Sequence, residues 1–174
     1  MKILCTGNPT HKTVASAIFR RFPHAEFASR ATGYDLSFWQ KDSENFFRDN
    51  ISRYDVFINA SYICDRAQLT LLEICHNMWS QQNQTGHIIN IGSTAELFGI
   101  DSVFGKYSIE KRALRDRSLQ LNGVNNIKTS HITAGGLNDG LPGHEKWLDL
   151  DILADTINWI LHNPARVPCI HLQA

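Results

Sequence analysis

Residues 86–111 read GHIINIGSTAELFGIDSVFGKYSIEK, and the fold is decided there. His87–Ile91 (HIINI) is a nearly continuous apolar run, the pattern of a strand covered on both faces. Gly92-Ser93-Thr94 follows directly, which puts a hydroxyl at the carboxyl end of that strand. Gly105–Leu121 then reads as a helix stopped by Asn122-Gly123, a favourable C-terminal pair. A buried strand that hands over to a long helix is one step of a βαβ chain, and the flanking sequence repeats the step.

Upstream, Lys2–Cys5 (KILC) is a first strand, and Thr13–Arg21 is a helix with Val14, Ala17 and Ile18 at helical spacing. Ala25–Ser29 (AEFAS) and Asp55–Asn59 (DVFIN) are strands, with a polar helix over Ser37–Arg53 between them that carries Trp39, Phe46, Phe47 and Ile51. Arg66–Gln82 is a long helix. Leu69, Leu72 and Trp79 share a face with Leu71, Cys75 and Met78 beside it, an apolar arc wide enough for burial on two sides, and Gly86 marks its end. Downstream come a strand at Ile127–Thr133, a helix at Leu150–Leu161 capped by Asp149 or Asp151, and a last strand at Pro168–Leu172. This order predicts an α/β protein: a doubly wound, Rossmann-like parallel sheet in a single domain over residues 1–174. Only Arg30–Gly33 separates the second strand from Tyr34–Ser37, and a parallel crossover needs a dozen or more residues. The edge unit that would hold a third strand is therefore expected to be missing or vestigial.

Composition excludes several classes. Lys plus Arg and Asp plus Glu both total 17, so net charge is zero with His neutral, which argues against nucleic-acid or anionic-membrane binding by bulk charge. No apolar run approaches a membrane span, and the N-terminus has no apolar segment of signal-peptide length. Cys5, Cys64, Cys75 and Cys169 are scattered, and the eight histidines show no HxxxH or HExxH spacing. Reduced thiols, a cytoplasmic location and no metal site are expected.

Four places carry chemistry. The first strand-to-helix junction, Thr6–Thr13, stands where a phosphate loop opens a helix. Only Gly7 remains of the three glycines such loops use, with His11 and Thr13 in later glycine positions. Thr10, Lys12 and Thr13 offer hydroxyl and ammonium groups in their place; an ordinary turn and helix cap is the other reading. Tyr107 and Lys111 share a helix face at i, i+4, so the ammonium is expected to lower the phenol pKa and make it a general acid or base. Ser93, fourteen residues earlier, can reach the same substrate oxygen. Ser29-Arg30 ends the second strand, where adenosine ribose is read, and an Arg there suits a 2′-phosphate. Asp35-Leu36, held nearby by the short connection, could flank an adenine. Asn59 is of the kind that ties strands together. Gly135–Lys146, rich in Gly and polar residues, should sit at the ligand-binding edge as a lid.

In order, TG at 6, SR at 29, DLS at 35, NAS at 59, IINIGS ending at 93, YSIEK at 107 and AGG at 134 resemble the short-chain dehydrogenase/reductase family over essentially the whole chain. The likeness is greatest to its compact, atypical members. It implies Tyr107 as acid/base, Ser93 as the group that polarises the reacting oxygen, and Lys111 as the holder of the nicotinamide ribose. It further implies Gly7 and its neighbours at the pyrophosphate, Ser29 and Arg30 at the 2′-phosphate of NADP, Asp35 and Leu36 at the adenine, Asn59 with Ala60 on the ribose side, and Gly135 in the family's Pro-Gly turn. The implied activity is an NADP-preferring oxidoreductase, NAD being second choice, acting on a small-molecule carbonyl or alcohol. The implied assembly is a homodimer through Arg66–Gln82 and Gly105–Leu121. Three departures stand out: the reduced glycine loop, the missing helix Asn of the family's proton relay (Asp65 and Gln68 lie nearby), and a short substrate loop that implies an open site or one completed by a partner subunit. The departures support a second reading, a weakly active or non-catalytic nucleotide-binding scaffold or sensor. A nucleotide-sugar epimerase or dehydratase is disfavoured by the short C-terminal part.

Overall fold

The computed structural model describes residues 1–34, 36, 41–62, 66–98 and 104–174. In chain order it contains β1 (Ile3–Thr6), α1 (Val14–Arg21), β2 (Glu26–Ala28), α2 (Lys41–Asn50), β3 (Val56–Asn59), α3 (Ala67–Gln81), β4 (Gly86–Ile91), α4 (Gly105–Leu121), β5 (Ile127–Ala134), α5 (Leu150–His162) and β6 (Cys169–Leu172). The six strands form one parallel sheet in the order β2-β1-β3-β4-β5-β6. The order reverses between β1 and β3, and in open α/β sheets that reversal opens a crevice at the carboxyl ends of the strands.

Alternation along each strand splits the core in two. Leu4, Phe57 and Ile88 face one layer with Phe47, Leu71, Cys75 and Trp79, under α2, α3 and α4. Ile3, Cys5, Ile58 and Ile89 face the other with Ile18, Leu153 and Ile157, under α1 and α5. The apolar runs read as strands are thus covered on both faces. The wide arc of α3 is taken up within the chain: Leu71, Leu72, Cys75 and Trp79 are buried, and Leu69 and Met78 pack against the same layer. Arg117 of α4 adds a 3.0 Å ion pair to Glu73. Gly86 proves to open β4 rather than close α3. The Trp79 ring lies on it, 2.6 Å from where a Cβ would stand, so only glycine fits beneath the indole.

The missing edge unit is borne out among the described residues. After β2 the chain makes a single 3₁₀ turn, Arg30–Thr32, and turns at Gly33 (φ 91°). Tyr34 N–H donates to Ser29 O at 2.8 Å and its ring packs on Phe46 of α2 at 3.7 Å. No described strand lies outside β2. The expected start of this helix at Ser37, and Asp35, lie outside the described residues. No helix among those described is long and apolar enough to cross a membrane.

Candidate active site

Ser93 caps the short 3₁₀ turn Thr94–Leu97 that follows β4, and its Oγ accepts from Ala95 N–H at 3.2 Å. The turn is anchored from below by Glu96, which is fully buried. Its carboxylate takes His131 Nε2 at 3.0 Å and the Thr133 hydroxyl from β5, with Ser93 N–H at 3.5 Å and Arg115 at 4.0 Å. Burial pushes the Glu96 pKa up, but the bond and the attraction to His131, followed by Thr133 and the Ser93 N–H, outweigh it and hold the carboxyl below its ordinary value. The His131 ring lies so close to Gly92 that a Cβ there would stand 2.2 Å from Nε2. Glu96 and His131 are 35 residues apart, and each looks ordinary in its own segment.

Tyr107 and Lys111 rise from one face of α4, as their spacing predicts. The Ser93 side chain stands near enough to the Tyr107 phenol to pull its pKa down, and both line one hollow. Lys111 is 3% exposed; its Nζ donates to Gln68 Oε1 at 2.6 Å and to Ile91 O at 2.9 Å, and stands 5.5 Å from the centroids of both the Tyr107 and Tyr62 rings. Burial brings the Lys111 pKa down to about 8, against the opposing pull of Glu96 and Glu110. The expected lowering of the Tyr107 pKa is corrected by this geometry. Burial raises it, Ser93 pulls it back in part, and Glu96 adds to the rise. A shared helix face fixes direction but not distance, and the ammonium leans toward Gln68 instead of the phenol oxygen.

Gln68 holds this arrangement together. It sits in the first turn of α3, where its Nε2 donates to Asn59 O at 2.9 Å while its Oε1 receives Lys111. By sequence it was one of two residues, with Asp65, that lie near the expected relay position; its place just after β3 was the local signal. Asp65 lies outside the described residues. Asn59 ties strands as expected, donating to Gln68 O at 2.8 Å and Asn90 Oδ1 at 3.0 Å. Tyr62, which no motif pointed to, packs edge-on against Tyr107 with centroids 4.7 Å apart.

Two hollows meet this rim. One, of about 570 Å³, has Ser93 and Tyr107 in its lining, together with Phe98, Phe104, Gly135 and Trp147. The other, of about 300 Å³, is lined by Gly7, Asn8, Ser29, Arg30, Leu36 and Tyr62 among others, next to the strand-order reversal. At about 300 Å³, and with His11 also in its lining, the second hollow has room for part of a dinucleotide, and two observations suit a nucleotide there. Ser29 Oγ is buried without a hydrogen-bond partner, a ready donor or acceptor. Gly7 holds φ +127° and presents bare backbone, where a Cβ would stand 2.9 Å from Ala15 Cβ and Ser61 Oγ. Ala60 N–H and Ser61 N–H both donate to Thr6 Oγ1, at 2.9 and 3.0 Å, which fixes the wall opposite.

The other loop residues are engaged locally. Thr10 bonds Asn8 Oδ1 through both its N–H and its hydroxyl, and the Thr13 hydroxyl donates to Asn8 O at 3.1 Å while Thr13 caps α1. Lys12 Nζ reaches across to Asn138 Oδ1 at 3.1 Å in the loop after β5. That loop is closed on itself: Leu148 N–H donates to Gly136 O and Asn138 N–H to Leu148 O, both at 2.9 Å. Gly135 N–H donates to Leu172 O at 2.8 Å, which places it at the mouth of the larger hollow.

No protein-family model matches the sequence, and no curated protein matches it. Solved structures do match. Serine dehydrogenase from Escherichia coli superposes with TM-score 0.75 at 15% identity, covering 100% of this chain and 98% of that one. 4-Hydroxyisoleucine dehydrogenase complexed with NADH gives 0.76 at 16%, covering 99% and 97%. A short-chain dehydrogenase from Sphingobium yanoikuyae in complex with NADPH gives 0.72 at 15%, covering 98% and 87%. This chain has the short-chain dehydrogenase fold. The Rossmann-like architecture expected from its strand pattern is therefore also that of proteins solved with NADH and with NADPH.

Proposed function

We propose that the chain is a short-chain dehydrogenase/reductase that reduces a carbonyl or oxidises an alcohol, with NADP preferred to NAD. One observation carries the reading: Ser93 and Tyr107 line the same cavity, with the buried Lys111 amine 5.5 Å from the Tyr107 ring centroid. When bound, the nicotinamide cofactor supplies or accepts the hydride. Tyr107, its pKa above the ordinary phenol value, is protonated at neutral pH and delivers that proton to the carbonyl oxygen. Ser93 donates a hydrogen bond to the same oxygen and polarises it. This favours the reductive direction, since the phenolate that alcohol oxidation needs is scarce at neutral pH.

Binding would fall to the smaller hollow. Ser29 and Arg30 suit a 2′-phosphate and Leu36 an adenine, while Asp35 lies outside the described residues and Asn59, expected on the ribose side with Ala60, is fully buried and tied to Gln68 and Asn90. Gly7 gives backbone access to the diphosphate, with Thr10, Lys12 and Thr13 close by. Lys111 and Gly135 belong to the nicotinamide end. We also propose a homodimer through α3 and α4, where Ile109 and Leu119 of α4 are partly exposed, and a cytoplasmic home suited to the free thiols of Cys5, Cys75 and Cys169. The scaffold reading keeps one observation in its favour: Lys111 is already bonded to Gln68 and Ile91.

Titration with NADPH and NADH, followed by melting, separates the two. A ligand at a hundred times its Kd adds about 2.7 kcal/mol to the folded state. NADPH is expected to stabilise at lower concentration than NADH and to be consumed with a carbonyl. Binding without consumption over a broad carbonyl panel supports the scaffold; no stabilisation by either nucleotide at millimolar concentration ends both readings.

A further inference from the structure

The larger hollow has a chemical character that the fold does not dictate. Its aromatic walls come from two different loops. Phe98 and Phe104, in the segment between β4 and α4, stack at 5.4 Å with planes 23° apart and are 47% and 44% exposed. Trp147, in the loop between β5 and α5, is 43% exposed, and its indole is held from two sides. A Cβ at Gly136 would stand 2.8 Å from its Cδ2 and Cε3, so the indole lies against bare backbone. The His144 ring stacks on the indole at 3.5 Å and 16°, and His144 Nδ1 is bonded to Asp139 Oδ1 at 2.8 Å. The main-chain N–H of Trp147 donates to His144 O at 3.1 Å, which fixes the turn between the two residues. Large, fixed rings are expensive to leave half in water unless something flat covers them.

The charge of the lining is as informative. Among the described residues it includes no Lys, Arg or His, and its one ionisable carboxylate is Asp139. Hydrogen bonds from Leu141 N–H and His144 hold that carboxyl below its ordinary value, so it is an anion at neutral pH. A carboxylate entering this space would meet the like charge of Asp139 and find no Lys or Arg among the described lining residues, which is unfavourable. The volume, about 570 Å³, is on the scale of sites that enclose a whole small molecule.

We propose that the substrate is an uncharged aldehyde or ketone, or the matching alcohol, with a flat aromatic body seated between the Phe98–Phe104 pair and Trp147, and that free amino, hydroxy and keto acids are rejected. The inference rests on the oxidoreductase reading and deepens it. In the reductive direction the carbonyl carbon gains a hydride from the reduced nicotinamide, which is oxidised, and the oxygen gains the Tyr107 proton; the product is the alcohol. Each aromatic contact is worth roughly 2- to 10-fold in affinity beyond area alone.

The test measures NADPH and NADH binding by calorimetry first. It then compares kcat/KM for benzaldehyde, 2-naphthaldehyde, propanal and pyruvate, with L-serine in the oxidative direction. 2-Naphthaldehyde is expected to exceed propanal by about tenfold or more, and pyruvate and L-serine by about a hundredfold or more. Trp147→Ala is expected to raise KM for 2-naphthaldehyde about tenfold while moving propanal little and leaving NADPH affinity unchanged; Phe104→Ala, at a partly exposed position, repeats the test should the first variant fold poorly. 2-Naphthol, which has the body without the carbonyl, is expected to bind one per chain by calorimetry. Faster turnover of pyruvate or L-serine overturns the substrate class and leaves the oxidoreductase reading standing. Cofactor binding without 2-naphthol binding or 2-naphthaldehyde turnover does the same. Failure of both cofactors to bind ends the underlying reading, and 2-naphthol then decides the aromatic site alone.

Discussion

Lys111→Met should change how stability depends on pH, and the sign follows from burial. The amine is almost wholly buried, and its folded-state pKa is about 8 against an ordinary 10.5. Between those values the unfolded chain binds more protons than the folded one, so stability rises as pH rises through that window. Below pH 8 the folded state carries the full cost of a buried ammonium, about 3 kcal/mol for a shift of roughly 2.5 units at 1.36 kcal/mol each. Between pH 7 and pH 10 the wild type should regain about 2.5 kcal/mol of it. Methionine has similar length and no charge, so the variant lacks this gain. Urea denaturation of both proteins at pH 7 and pH 10 isolates it as a difference of differences. Other groups, such as Cys5, whose thiol burial also pushes up, cancel between the two. Equal pH dependence in wild type and variant would refute the placement of Lys111 as a buried amine held by Gln68 and Ile91.

Other expectations follow from the same site. Reductive kcat should stay level from pH 7 to pH 9, because Tyr107, raised above the ordinary phenol value, keeps its proton there; a fall across that range would contradict the direction of its shift. Gly92→Ala sets a Cβ 2.2 Å from His131 Nε2 and should cost at least about 2 kcal/mol in denaturant melts; a neutral result would mean that His131 does not pack there. Glu96→Gln removes the carboxylate that His131, Thr133 and the Ser93 N–H share, and should cost about 3 kcal/mol with a loss of turnover larger than any loss of NADPH affinity. Arg30→Ala should weaken NADPH binding at least about tenfold more than NADH binding; equal losses would dismiss its 2′-phosphate role.

The sheet was legible because its strands announce themselves: KILC, DVFIN and HIINI are apolar runs that only a doubly covered strand explains. Element ends shifted by a residue or two where caps decide them, as at Thr13, which caps α1 instead of opening it, while α5 starts at Leu150 behind its Asp149 cap as expected. The absent edge unit was legible from distance along the chain alone. Ser93, Tyr107 and Lys111 were found because motif order places them at one rim, yet the direction of the Tyr107 pKa was misjudged, since it depends on where an ammonium leans and how deeply a phenol is buried. Glu96 with His131, and Gln68 with Lys111, were invisible as pairs because each bond joins segments 35 and 43 residues apart. The loop after β5 read as a loose lid from its glycines; its backbone pairing across Gly136–Leu148 and the His144–Trp147 stack leave no periodic trace.

The central claim is that Tyr107 hands its proton to a carbonyl oxygen polarised by Ser93. The most direct measurement is single-turnover consumption of bound NADPH by wild type and Tyr107→Phe, with NADPH affinity measured on the same samples. The expected result is a rate loss of about a thousandfold or more at unchanged affinity. Equal rates in the two proteins would contradict it.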